Sequence, residues 1–201
     1  MHKVVAFTGA GISRASGVPT FEEMGDIRDK LSRWYFRDNP EDFYKILLEM
    51  KKTADNADPN PAHRVLARHN IPVVTMNIDG LHRRAGSREL VEIHGNLEQV
   101  FCQRCGSIYD FYVVEKSIHC QKCGELLESN VVLYGDSLDK FYEAMELIVS
   151  ARELLVVGTS FQTSTASQMV MQAELAGVKA TIINSHAEEE VPAYLERVFD
   201  E

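Results

Sequence analysis

No stretch of this chain approaches the roughly 18 consecutive apolar residues of a membrane-spanning helix, and no membrane partner is expected. The opening Met-His-Lys-Val-Val-Ala-Phe-Thr-Gly lacks the layout of a secretion signal, because glycine and serine arrive before an apolar core can build. Cysteine is sparse: 4 residues, all between positions 102 and 123, which excludes a disulfide-dense secreted scaffold. Without a secretion signal those thiols point to a reducing compartment, so a cytoplasmic setting is expected. Proline and glycine, at 6 and 12 residues, are too few for a collagen-like chain. Basic charge is also short, with 21 lysines and arginines against 30 acids and a net charge of −9. A chain this acidic lacks the electrostatic footprint of a general nucleic-acid binder, and no direct nucleic-acid partner is expected. The excess either draws basic partners such as lysine-rich peptides, over a Debye length of about 8 Å, or serves solubility alone.

What remains is an ordinary globular composition, 45% apolar and 25% charged. The 201 residues make one domain, or one domain with a small insert, and can bury roughly 70% of the unfolded chain's surface. Val4-Val5-Ala6-Phe7 reads as a short buried strand over 3–8 that stops at Gly9-Ala10-Gly11. Further strands are expected over 71–75, 90–93, 131–134, 154–157 and 180–183. Helices are expected from Pro40, over 62–69, 138–151 and 164–176, and over 191–199. The polar and aromatic stretch 22–39 suggests no element. Strands alternating with helices predict an α/β fold with a mostly parallel sheet, interrupted by the cysteine segment.

Cys102-Gln-Arg-Cys105 and Cys120-Gln-Lys-Cys123 are two C-x2-C knuckles separated by 14 residues, just under the usual gap for a four-cysteine zinc site. Zinc takes four thiolates in a tetrahedron, and each knuckle supplies two from one tight turn. Such a site is closed, so its metal would be structural. Two redox pairs or four free thiols are the alternatives. Gly9-Ala10-Gly11-Ile12-Ser13 lets backbone approach a phosphate and aim N–H groups at it, although it is not G-x-G-x-x-G and a plain tight turn reads equally well. Gly158-Thr159-Ser160 and Asn184 follow two later strands, where α/β sheets bind ligands, though helix N-caps also explain such residues. Asn77 and Asp79 end one strand and His94, before Gly95, ends the next; a histidine there could act as a general base. His63, His69 and His82 read as structural histidines.

These pieces, in this order, resemble the sirtuins, NAD-dependent protein deacylases. The resemblance rests on Gly9-Ala10-Gly11-Ile12-Ser13 with Ser16-Gly17-Val18-Pro19, on Pro59-Asn60 with His63 and Leu66, and on Asn77-Ile78-Asp79 with Leu81-His82 and Ala85-Gly86. It continues through His94-Gly95, the four cysteines, Val131 to Leu138, Gly158-Thr159-Ser160 and Ile183-Asn184. It implies a Rossmann-like parallel sheet with helices on both faces (1–98 and 128–201) and a small inserted zinc-ribbon-like module (99–127), with NAD as cosubstrate and zinc as structural metal. It implies that an acylated-lysine protein or peptide is the partner, deacylated with release of nicotinamide and O-acyl-ADP-ribose. His94 would be the general base and Asn77 would contact the reacting ribose. Gly9, Ala10, Gly11, Ser13, Thr20, Gly158, Thr159 and Ser160 would border the cofactor, and Asn184 would hold its adenosine ribose. Phe21 would cover the anomeric carbon, and Ile78 and Asp79 would grip the nicotinamide carboxamide. Val131, Val132, Leu133, Tyr134 and Gly135 would bind the substrate peptide, adding it as a strand.

The departures matter as much. Thr20-Phe21-Glu22 stands where the family has D-F-R, so an anion replaces a cation beside the cofactor. Met76 replaces a glutamine before Asn-Ile-Asp, and Thr163 and Thr165 replace valine and proline. A mono-ADP-ribosyltransferase or NAD glycohydrolase on the same scaffold, or a non-catalytic NAD or ADP-ribose sensor, are the other readings. Acyl preference, protein substrate and oligomeric state are not written in the sequence.

Overall fold

The computed structural model describes residues 1–20, 23–25, 27–161 and 164–199. β1 (His2–Thr8) runs into a 3-10 turn (Ala10–Ser16). α1 (Ile27–Lys30), α2 (Arg33–Asp38), α3 (Pro40–Asn56) and α4 (Pro61–Arg68) come next. β2 (Val73–Thr75), α5 (Leu81–Ala85) and β3 (Leu90–Glu92) follow. β4 (Gly95–Phe101), β5 (Ile108–Asp110), a second 3-10 turn (Phe111–Glu115) and β6 (Glu128–Val131) form the cysteine region. The chain ends with α6 (Phe141–Val149), β7 (Ala151–Val157), α7 (Ser164–Leu175), β8 (Lys179–Ile183) and α8 (Ala187–Phe199).

The main sheet has the order β3-β2-β1-β7-β8, and every neighbouring pair is parallel. This is the parallel α/β sheet the alternating pattern predicts and the Rossmann-like architecture the resemblance implies. Successive β1 residues serve opposite faces, as a period of two requires. Val5 and Phe7 join Val74, Leu154 and Val156 against Ala144, Ile148 and Met169 of α6 and α7. Val4 and Ala6 join Val73, Leu155 and Val157 against Leu66 of α4 and Val191 and Leu195 of α8. A strand buried on both faces reads as a continuous apolar run, which is why β1 and β7 were legible.

Register lines up the carboxyl ends: Thr8 pairs with Thr75 and Val157, Thr75 with Glu92, and Val157 with Ile183. The residues just beyond, from Gly9, Met76, Ile93, Gly158 and Asn184 onward, therefore share one edge. From β1 the chain builds outward first through β2 and later through β7, so the topological switch lies between β1 and β7, where such sheets take ligands.

Three expectations need correction. The strand expected at 131–134 lies at Glu128–Val131, because pairing with β4 stops there. The helix expected over 138–151 ends at Val149, and β7 starts already at Ala151, paired with His2. α8 begins a turn before Val191 and carries Pro192 inside it, although proline is favoured only in the first turn.

The unassigned stretch also holds structure. Ser32 caps α2 by accepting from the Tyr35 amide, and Pro40 opens α3. Phe36, Phe43, Tyr44 and Leu47 from these helices form a third core with Leu97, Val100 and Val131 of the antiparallel sheet β5-β4-β6 and with Phe111 and Leu127 beside it. A three-stranded sheet this small needs such a cover to be stable. No described helix is long and apolar enough to cross a membrane.

Candidate active site

At the switch point the two glycine turns touch. A Cβ on Gly11 would lie 2.6 Å from Gly158 Cα, and one on Gly158 would lie 2.3 Å from the Ile12 amide nitrogen. Only glycines allow this crossing, and Gly158 also sits at φ +65°. The turns use their own donors, however. Gly9 N–H goes to Val157 O at 2.9 Å and Gly11 N–H to Gly158 O at 2.8 Å. The Thr159 amide donates to Asn184 Oδ1 at 3.0 Å. The expectation that this turn aims its N–H groups at a ligand is therefore corrected for Gly9 and Gly11.

Around this crossing lies a cavity of about 710 Å³. Gly9, Ala10, Gly11, Thr20, Asn77, Ile78 and His94 line it, with Gly158, Thr159, Ser160 and Asn184 and the run Val131 to Gly135. The structure thus gathers residues separated by most of the chain. It does not bring Ser13 and Asp79 to the surface of the cavity. They stand one layer behind, because Ser13 is fully buried and its hydroxyl donates to Asp79 Oδ2 at 2.7 Å. Phe21 and Glu22 lie outside the described residues, as does Thr163.

That inner layer is a connected polar network. Asn77 Nδ2 donates to the Ser13 hydroxyl at 3.1 Å, and its amide donates to Thr75 Oγ1 at 3.0 Å. Asp79 Oδ1 accepts from the Leu81 amide at 2.9 Å. Desolvation raises the Asp79 carboxyl above its usual range, against the pull of these donors. His63 and His82 pack at 4.7 Å between ring centroids, and burial holds both below the ordinary imidazole value, His63 at about 4. They are core histidines, as read from the sequence; His82 Nε2 lies 2.9 Å from the Thr8 hydroxyl.

His94 differs. Its Nδ1 lies 3.0 Å from the Met76 carbonyl, which can only accept, so the proton sits on Nδ1 and Nε2 keeps its lone pair. Nε2 is the nitrogen left for the cavity. Burial lowers its pKa, and the Met76 bond opposes that shift. The imidazole is thus neutral near pH 7 and able to take a proton. Gly95 follows at φ +73°, and a Cβ there would lie 1.8 Å from Asn130 O. This crossing brings β6 alongside His94, and Val132 N–H donates to the His94 carbonyl at 2.9 Å.

The run Val131 to Gly135 is less open than a free strand edge. Leu133 N–H goes to Asp136 Oδ2, while Tyr134 N–H goes to Leu31 O and its carbonyl accepts from Arg33. The expectation that Val131 to Tyr134 pairs throughout with a visiting strand is corrected: Tyr134 is already bridged to Ser32. The Val132 carbonyl has no hydrogen-bond partner among the described residues. Arg33 holds the turn below, with Nε and Nη2 each 2.8 Å from the two oxygens of Asp136 and Nη1 2.6 Å from Glu128.

Sequence reading missed several wall residues. Arg14, Glu23, Arg28 and Leu31 line the cavity. Arg14 could have been noticed, because it directly follows Ser13 in the glycine signature. Leu31 and Arg28 could not, since only the packing of α1 and α2 brings them there.

The four cysteines form one cluster, with every Sγ within 4.8 Å of the others. Cys102 and Cys123 are 3.4 Å apart and Cys105 and Cys120 are 3.5 Å apart, far beyond the ~2.05 Å of a disulfide. Each knuckle closes on a glycine with positive φ, Gly106 and Gly124, whose amides donate to Cys102 and Cys120. A donor set of four sulfurs around one point fits a structural zinc ion.

The profile of the Sir2 family matches residues 9–165. An NAD-dependent protein deacetylase of Bacillus subtilis is 34% identical over 224 residues, covering 99% of this chain and 88% of the relative. NAD-dependent protein deacylase 2 of Archaeoglobus fulgidus is 36% identical over 219 residues, covering 99% and 84%. A solved Sir2 with p53 peptide and NAD+ superposes with a TM-score of 0.88 at 30% identity, covering 98% of this chain and 94% of that one. The chain belongs to the Sir2 family.

Proposed function

We propose that this protein is an NAD-dependent protein lysine deacylase. The observation that carries the reading is His94, whose Nδ1 is anchored on Met76, which leaves Nε2 for a proton, and whose ring lines a cavity shared by the glycine turn and the Val131 to Gly135 run. NAD, when bound, supplies an anomeric carbon that gives up nicotinamide and accepts the acyl oxygen of a modified lysine. His94 Nε2 takes a proton from a ribose hydroxyl as general base. Asn77, fixed by Ser13 and Thr75, presents its side chain beside that ribose. Asp79, behind it, sets the conformation of the Asn77 to Asp79 turn that receives the carboxamide.

Gly9, Gly11 and Gly158, by letting the two turns cross, build the floor on which the dinucleotide would lie, and Asn184, which holds the Thr159 amide, would stand beside the adenosine ribose. The open Val132 carbonyl is the acceptor for the substrate's main-chain or lysine N–H. Leu31 and Leu133 wall the acyl group and exclude water. The cysteine module, with α2 and α3, supports the Val131 to Gly135 wall, and zinc would be held by Cys102, Cys105, Cys120 and Cys123. Four unbridged cysteines at metal spacing also support a reducing, cytoplasmic setting.

The test is nicotinamide release from NAD with and without an acetyl-lysine peptide, with the mass of the ADP-ribose product. Peptide-dependent release with O-acetyl-ADP-ribose is expected. Peptide-independent release would instead make the protein a glycohydrolase or ADP-ribosyltransferase, a reading favoured by Met76 and by the anion at Glu22.

A further inference from the structure

The phosphates of a dinucleotide carry charge that the glycine turn can meet only with the amides it has not already spent. Gly9, Gly11 and Thr159 spend their amides on protein acceptors. The chain has an acid where the family carries an arginine after Phe21. A second cavity of about 540 Å³ adjoins the first and shares Gly11, Gly158 and Asn184 with it. Among the described residues lining the two, the permanently charged cations are Arg14 and Arg28. Arg28 lies over the Tyr134 ring at 5.3 Å, toward the peptide end. Arg14 alone of the two lines both cavities.

Arg14 is already on an anion. Its Nη2 lies 2.8 Å from Glu23 Oε1, with 64% of the arginine and 44% of the glutamate side chain in solvent. Glu23 does not depend on it, because its other oxygen accepts from both the Thr20 amide at 2.8 Å and the Thr20 hydroxyl at 3.0 Å. A solvated pair of this kind is worth little to stability, so its partner can be exchanged cheaply. We infer that Arg14 is the pyrophosphate-binding side chain of this protein, held by Glu23 in the free protein and passed to the phosphates when the dinucleotide enters. The inference rests on the NAD reading above. A guanidinium fork suits two phosphate oxygens, and Glu23, left on Thr20, needs only water at its freed oxygen.

Calorimetry with two ligands tests it, ADP-ribose and adenosine, which lacks phosphate. Arg14→Gln is expected to weaken ADP-ribose about tenfold, with adenosine unchanged, and to raise KM for NAD with kcat unchanged. Arg14→Lys is expected to restore part of the loss, and Glu23→Gln, which removes the competing anion, to tighten ADP-ribose about threefold. Salt should weaken ADP-ribose binding less in Arg14→Gln than in the parent. Equal losses for ADP-ribose and adenosine, or no loss in Arg14→Gln while the parent binds and cleaves NAD, would overturn this inference alone. A parent protein that binds neither ADP-ribose nor NAD would overturn the functional reading with it.

Discussion

At the inner end of the cleft Ser13, Asn77, His63 and His82 are buried and hydrogen-bonded or ring-packed to one another, and His94 is pinned by Met76. At the outer end Arg14 and Glu23 face water. Both ends hold polar groups at close distance, yet burial makes them behave oppositely. Inside, a group that loses its partner has no water to replace it, so the arrangement is fixed and every change is expensive. Outside, solvent replaces any partner, so charges can be traded between ligand and protein. A deacylase needs both: fixed geometry where a proton moves, and exchangeable charge where a ligand enters and leaves.

The comparison breaks most completely if its scaffold goes. Removing zinc from the cysteine cluster should loosen the third core and with it the wall beside His94. Freshly purified protein is expected to contain one zinc per chain, and chelation should lower the melting temperature and abolish peptide binding. Metal analysis finding no zinc would refute this. Next comes His94→Ala, expected to reduce acyl transfer by about 10²- to 10⁴-fold while ADP-ribose binding stays unchanged. In the parent, kcat/KM should rise with pH through a pKa below the usual imidazole value and then level off, since the base works deprotonated. A profile that instead falls as pH rises through 6 would exclude that role.

Arg33 lies between the two ends in exposure, at 21% of its side chain. Arg33→Ala leaves Asp136 and Glu128 without their cation and should cost ~1–3 kcal/mol in chemical unfolding, with a raised KM for the peptide and little change in NAD affinity. His63 and His82 make a milder test through acid. Their folded pKa values lie below the unfolded value of 6.5, so the unfolded state binds more protons as pH falls. Stability should therefore be intact above about pH 6.5 and be lost progressively toward pH 4, with His63 alone accounting for up to ~3 kcal/mol. A melting temperature flat across that window would show that these rings are not held neutral. Smallest of all, Thr20→Ala at the solvated end should change stability by less than ~0.5 kcal/mol.

Much of this was legible beforehand. β1 and β7 announce themselves as apolar runs because parallel strands are covered on both sides, and the cysteine spacing is a local property of two tight turns. Glycines 9, 11 and 158 could be picked out as special, but not the reason, since the reason is that two of the turns collide. The stretch 22–39 was silent because its helices are short and owe their stability to the third core rather than to a periodic pattern. Val131 to Tyr134 looked like a strand from its apolar residues, but β6 ends at Val131, because Asp136 and Leu31 take the Leu133 and Tyr134 amides.

By itself the sequence determined that the main strands are buried apolar runs, that glycines mark two turns, that four thiols come in pairs, and which family the chain resembles. These depend on periodicity, local dihedral limits and spacing, all properties of neighbours in the chain. The tertiary structure alone decided that Met76, through its carbonyl, sets the tautomer of His94, that Ser13 and Asp79 stand behind the cavity, and that Arg14 meets Glu23 at its mouth. Hydrogen-bond partners and solvent exposure arise between residues far apart in the chain, and they decide which polar group is fixed, which is free and which can take a proton.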